Sequence, residues 1–395
     1  MYRYKTFIIL ILTTVFYTGS WAQISVGELA GQVNAIQTAV PFMTITPDSR
    51  AGGMGDAGVA TTPDINSQHW NASKYAFIKG KWGVGVSYSP WLRNLVNDIN
   101  LAYLSGYYRI DKLQTVSMSL RYFSLGDIQF TDEWGSTIRN FNPNEFAIDA
   151  GYARAFSEKI SAGLVFRYIY SNLTGGTGVG GSDTKPGMSF AADINMYYHS
   201  GISLGQKDGE ASFGVNISNI GTKMSYTPSQ EPDFIPTNLR LGGALGVDLD
   251  KFNRLNFILD INKLLVPTPP IYNDSTGEII AGKDPNVSVP VGMLHSFYDA
   301  PGGAKEEFHE LMWSAGIEYW YNELLAIRGG YFHEHETKGN RKYFSMGLGL
   351  RLNVFAVDFS YLIPLHQNNP LAGTLRFTLL FNFDPSKKSK NNKRS

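Results

Sequence analysis

Two glycine patterns and one histidine pair are the residues whose spacing could do chemistry. Gly53, Gly55 and Gly58 spell G-x-G-x-x-G, and so do Gly176, Gly178 and Gly181 inside the run Gly175–Gly181. That spacing cradles a pyrophosphate when a strand precedes it and a helix follows. No strand of a βαβ unit precedes the first copy, and the second lies in a long loop with no helix after it. Close packing is expected of the first and flexibility of the second. His333-Glu-His-Glu336 offers imidazoles and carboxylates to a metal ion. Nothing around it fixes a ligand geometry, so a solvated loop is expected there. Ser and Asp residues are scattered without G-x-S-x-G or triad spacing. The absence of cysteine excludes disulfides and thiolate metal sites. No catalytic residue, metal ligand or cofactor is expected, and the chain reads as non-enzymatic.

The elements that carry these residues have a period of two. In the last segment, Gly373–Phe383, the side chains of Leu375, Phe377, Leu379, Phe381 and Phe383 share one face. Thr374, Arg376, Thr378 and Asn382 share the other, with Leu380 as the one exception. That alternation is a β-strand. It recurs from residue 80 onward in about fourteen segments of roughly 9–12 residues, the length a tilted strand needs to cross a bilayer. Charged residues make up 17% and aromatic residues 13% of the 395-residue chain, and 41 residues are glycine. So few charges with so many aromatics suit a sheet that faces lipid. Lys and Arg total 34 against 34 Asp and Glu, so no global field points to nucleic acid.

The links between strands sort by parity. Those near residues 111–113, 156–158, 204–208, 249–253, 322–323 and 353 are tight. Those at 126–144, 171–186, 219–237, 264–311, 333–341 and 365–372 are long. Strict alternation is expected of an outer-membrane barrel, with short periplasmic turns and long external loops. The expected fold is all-β, a transmembrane antiparallel β-barrel of about 14 strands spanning 80–383. Residues 1–22 read as a secretory signal peptide. Arg3 and Lys5 precede the apolar run Phe7–Leu12, and Ser20-Trp-Ala22 offers small residues at a cleavage site. Residues 23–79 read as an N-terminal plug segment containing a short amphipathic helix through Leu29, Val33, Ile36 and Val40. Residues 384–395 read as a basic periplasmic tail.

In this register Arg121, Arg167, Arg240, Arg328, Arg351 and Arg376 point into the lumen. Asp193 and Asp260 are among their partners, and Arg50 of the plug segment belongs to the same polar network. The network either holds the plug or lines a transport path. The loops at 219–237 and 264–311 carry Tyr226, Phe234, Ile235, Ile271, Tyr272, Met293, Leu294 and Phe297. So much apolar material outside a barrel needs cover. Either it folds on itself as a cap or it docks a partner. A helix is expected over Ala304–Leu311.

Two stretches carry a resemblance. Thr46-Pro-Asp-Ser-Arg-Ala-Gly-Gly-Met-Gly-Asp-Ala-Gly-Val-Ala60, followed by Trp70-Asn-Ala72, resembles the N-terminal segment of the PorV proteins of the type IX secretion system. The early Tyr88-Ser-Pro-Trp-Leu92 and the barrel behind it are similar along nearly the whole mature chain. The resemblance implies a FadL-like barrel in the outer membrane. It also implies a non-enzymatic carrier that binds the C-terminal signal domain of cargo leaving a SprA/Sov-type translocon. Such a carrier delivers cargo to the PorU sortase and attachment complex, which links it to surface lipopolysaccharide. The alternative is a FadL-like transporter of hydrophobic small molecules.

Overall fold

The computed structural model describes residues 33–383, apart from 93–95, 97, 132–133, 177–183, 229–230, 274 and 367–370. The expected signal peptide, the Leu29 end of the expected helix, Gly178, Gly181 and the basic tail lie outside the described residues. Fourteen antiparallel strands close into one barrel, with the first strand paired to the last. The chain runs β1 (Trp82–Pro90), β2 (Ile99–Arg109), β3 (Gln114–Leu125), a small hairpin of β4 (Ile128–Thr131) and β5 (Thr137–Phe141), then β6 (Asn144–Ala155) and β7 (Ile160–Asn172). It continues through β8 (Gly187–Leu204), β9 (Lys207–Gly221), β10 (Asn238–Asp248) and β11 (Asn253–Leu264). After a second small hairpin, β12 (Ile271–Tyr272) and β13 (Ile279–Ala281), come β14 (Met312–Tyr321), β15 (Leu325–His333), β16 (Lys342–Leu352), β17 (Phe355–Pro364) and β18 (Leu375–Phe383).

Alternation decides which way each strand faces. On β16, Phe344, Met346, Leu348 and Leu350 are exposed, while Tyr343, Ser345, Gly347 and Gly349 are buried. On β3, Val116, Met118, Leu120 and Tyr122 are exposed, while Ser117, Ser119 and Arg121 are buried. A surface of half-exposed Leu, Phe, Ile and Met around a polar interior is a lipid-facing barrel turned inside out relative to a soluble core. The tight links all fall at one end and the long ones at the other. The β14–β15 turn puts both Asn322 and Glu323 at a φ of 53°. Two successive left-handed residues match the twist of a tight hairpin.

Residues 39–43 and 65–78 pack against the inner faces of the strands. The helices before β1 are single turns: a 3-10 turn at Pro41–Thr44, α1 (Ser49–Gly52), α2 (Ser67–Trp70) and a 3-10 stretch at Ala72–Phe77. Asp48 caps α1 by accepting from the Ala51 amide at 3.0 Å. Residues 33–40 form no helix, so the helical face through Val33, Ile36 and Val40 is a misreading. Val40 is spent on tertiary contacts instead, while Val33 stays exposed. Ala39, Val40, Phe42 and Met43 pack against Leu101, Phe123, Ala147 and Ile169 of the barrel wall.

Leu380, the exception in the β18 pattern, is buried on the inner side and packs in a cluster with Ile65, Tyr75 and Ala76 of this segment. Apolar lumen positions occur where the internal segment supplies apolar partners.

Candidate functional site

The first glycine pattern is built for contact with backbone. Gly55 has a φ of 68°, open to glycine at no steric cost, and its amide donates to Ser345 Oγ at 2.8 Å. The turn at 53–55 lies directly on Gly316, Gly330 and Gly347 of three adjacent strands. Gly58 and Val59 donate their amides to Asp260 Oδ2 at 2.7 and 2.9 Å. Asp260 therefore serves the internal segment's backbone, where an arginine partner was expected. In the second pattern Gly176 is a turn residue with a φ of 77°.

Hydrogen bonds tie the internal segment to much of the barrel's circumference. Ser49 donates its amide to Thr378 of β18, Asn71 its side-chain amide to the Met196 carbonyl of β8, and Ala72 its amide to Asn195 of β8. Ser161 of β7, Ser212 of β9 and Thr115 of β3 donate to carbonyls of Ser73, Ala60 and Tyr75. Arg50 on α1 makes one charged link. It donates to Asp64 at 2.8 Å and to both oxygens of Glu318 on β14, at 3.0 and 2.9 Å. Glu318 also accepts from Arg328 at 2.9 Å, and Arg328 reaches Asp358 at 2.6 Å. A second cluster joins Arg167 to Asp149 at 2.6 Å, to Asp193 at 2.9 Å, and to Asn219. Arg376 pairs with Asp56 at 3.5 Å.

Three expected lumen arginines have other surroundings. Arg121 donates to the Met43 carbonyl at 2.7 Å and lies 2.5 Å from His69 Nδ1. Arg240 stacks over Trp70, 5.0 Å from the ring centroid. Arg351 is exposed at the tight-turn end, 4.6 Å from the Trp320 ring.

The external loops divide into two sets. Ile235 is 1% exposed and Phe234 is 8% exposed, so neither stands free as a docking residue. Ile235 packs with Val40, Phe42 and Met43. The carbonyl of Phe234 accepts from the Ala39 amide at 2.9 Å, and its ring crowds Gly292. Tyr226 turns inward and donates to Ser171 Oγ at 2.9 Å; burial pushes its hydroxyl up to about 12. This loop reads as surface in sequence, but the apolar stretch 39–43 draws it over the lumen. The longer loop differs. Ile271 is 51% and Leu294 66% exposed, with Tyr272 and Phe297 about half exposed and Met293 partly so.

Its base is anchored. It carries α3 (Val289–His295) and α4 (Ala304–His309). Lys263 donates to Glu307 at 3.0 Å and Glu310 at 2.5 Å, and Lys338 to Glu306 at 2.5 Å and Glu310 at 3.0 Å. His309 stacks on His335 with centroids 3.5 Å apart. Glu334 is held by Arg341 at 2.8 Å. Among the described residues no group of three or more His, Asp or Glu is placed to hold a metal.

The family model for "Type IX secretion system protein PorV" matches residues 28–271, more than half of the chain. The chain belongs to the PorV family. It is thus an outer-membrane β-barrel of the type IX secretion system. No curated protein matches the sequence. Among solved structures, the toluene transporter TbuX of Ralstonia pickettii is 9% identical over 87% of this chain and 99% of its own, with a TM-score of 0.46. The toluene transporter TodX of Pseudomonas putida is 10% identical over 88% of this chain and 98% of its own, also at 0.46. A FadL homologue of Pseudomonas aeruginosa is 11% identical over 89% of this chain and 99% of its own, at 0.42.

Proposed function

We propose that this PorV-family barrel is the carrier subunit of type IX secretion. It binds the C-terminal signal domain of cargo leaving the SprA/Sov-type translocon and delivers it to the PorU sortase and attachment complex. Cargo is then linked to lipopolysaccharide at the cell surface. The observation that supports the docking reading is the exposure of Ile271, Tyr272, Leu294 and Phe297 on one loop. These side chains stand on a loop whose base is pinned by the ion pairs of Lys263 and Lys338. Burying each is worth about 1.5–3 kcal/mol, and a preorganised loop loses little of that to ordering.

The test pairs two substitutions, Ile271→Ser with Tyr272→Ser and Leu294→Ser with Phe297→Ser. Both double variants should keep the heat-modifiable mobility of a folded barrel and lose capture of cargo signal domains in a pull-down. Phe234→Ser with Ile235→Ser should instead impair folding, because those side chains close the lumen. Undiminished capture by both folded loop variants would sink the docking reading and leave the face as a loop cap.

A further inference from the structure

We propose that a cavity at the outer end of the lumen is a binding site for a small organic carboxylate. The cavity measures about 300 Å³ and lies between the internal segment and the outer ends of β10, β11, β14 and β15. An apolar protein cavity of ~150 Å³ is enough to take up benzene. Here Trp70, Leu264, Met312 and Phe332 supply apolar wall, and Arg240 supplies one underused cation.

Arg240 is buried, and among the described residues no carboxylate forms an ion pair with it. Its Nη1 lies 3.3 Å from His69 Nε2 and 3.4 Å from the His69 carbonyl. The His69 ring already accepts at Nδ1 from Arg121, at 2.5 Å. A neutral imidazole has one acceptor nitrogen, so the ring can serve only one of the two guanidiniums, and Arg121 makes the shorter contact. Arg240 Nε donates to the Asn238 side-chain oxygen at 2.9 Å, and the desolvated Nη edge that is left, short of acceptors, favours an anion.

The second observation is Asn262, the cross-strand partner of Arg240. It also lines the cavity and is buried, and its Oδ1 has no hydrogen-bond partner among the described residues. Its amide can turn its N–H groups toward the same anion.

The acidic groups at the cavity are already neutralised. Asp56 accepts from Tyr343 and pairs with Arg376, Glu310 accepts from Lys263 and Lys338, and Glu334 is held by Arg341. Pro41 and Gly339, which also line the cavity, are exposed and give it a way in from the loop side. A carboxylate would accept from Arg240 and Asn262 while an aryl ring or short chain fills the apolar wall. The four apolar side chains can cover an aryl ring but not the length of a sixteen-carbon acyl chain.

The full chain, purified in detergent, is titrated calorimetrically with phenylacetate, phenylacetamide and palmitate. Phenylacetate should bind saturably. Phenylacetamide, of the same shape without the charge, should bind about tenfold more weakly or worse. Palmitate should not compete. Arg240→Gln should weaken phenylacetate binding about tenfold. Met312→Trp fills the cavity without touching the charge and should abolish binding. If Arg240→Gln does not fold, the acid–amide comparison and Met312→Trp decide. Absent phenylacetate binding, equal binding of acid and amide, competition by palmitate, or full binding by the folded variants would each overturn the proposal. Loop variants that lose cargo but keep phenylacetate binding separate this site from the docking face.

Discussion

Gly330 of β15 and Gly55 of the internal segment stand backbone to backbone, so close that a Cβ on Gly330 would lie 2.0 Å from the Gly55 nitrogen. Its cross-strand neighbour Gly316 is equally confined, with a Cβ 2.7 Å from that of Met54. A strip of the barrel's inner wall is therefore bare backbone, and another backbone lies in it.

The first prediction follows from that strip. Gly330→Ala should lower the thermal unfolding midpoint in detergent, because overpacking costs about 1–3 kcal/mol and backbone cannot move aside as a side chain can. Gly329→Ala is the control. Its Cβ would point to the lipid side, with only Ile317 nearby at 3.6 Å. Equal midpoints for the two variants would show that the internal segment does not rest on Gly330.

Orientation in the membrane gives the second. Ser157 lies at the tight-turn end and Thr276 in the hairpin between β12 and β13 at the other, and both are exposed. On intact cells an impermeant maleimide should label Thr276→Cys and leave Ser157→Cys untouched. The reverse pattern would invert the barrel.

Conductance gives the third. We expect residues 46–61 to close the lumen, since Arg50, Gly55, Gly58 and Val59 bind β14, β16 and β11 from within. The intact protein should be closed in planar bilayers, and deletion of 46–61 should open it. Porin-like currents from the intact chain would refute the closure.

The fourth concerns pH. Burial, then Lys305 and Lys338, hold His309 below the ordinary histidine range; burial and His309 itself do the same for His335. Glu306 and Glu336 oppose this at His309, while Glu336, His333 and Lys342 also face His335. A histidine whose folded pKa is depressed binds fewer protons folded than unfolded. The stack is therefore fully stabilising above the ordinary value near 6.5 and weakens as pH falls below it. Protease cleavage in 265–311 should rise between about pH 7.5 and about pH 5.5, a window of roughly one unit either side of that value. His309→Gln should flatten the rise. An unchanged profile in the variant would assign the effect to other groups.

The barrel was legible because alternation, strand length and loop parity are each written locally, and the last strand, expected over Gly373–Phe383, runs Leu375–Phe383. What was not legible is what meets what across the lumen. Asp260 looks like an arginine partner in sequence, yet it serves two amides from 201 and 202 positions away. Phe234 and Ile235 look like surface because a loop's hydropathy does not say which apolar stretch will lie beneath it. The cavity pairing of Arg240 with Asn262 follows from register, but the shortage of acceptors around Arg240 depends on a histidine in another part of the chain.

The pairing of β1 with β18 has a consequence for how this protein comes into being. The internal segment immediately precedes β1, and the seam between the first and last strands is the last place a hoop of consecutive hairpins can join. Once that seam is sealed, a chain hydrogen-bonded to strands from β3 to β18 has no sideways exit. Its threading must be settled while the cylinder is still an open sheet, so the N-terminal residues act as the mandrel around which the wall is bent.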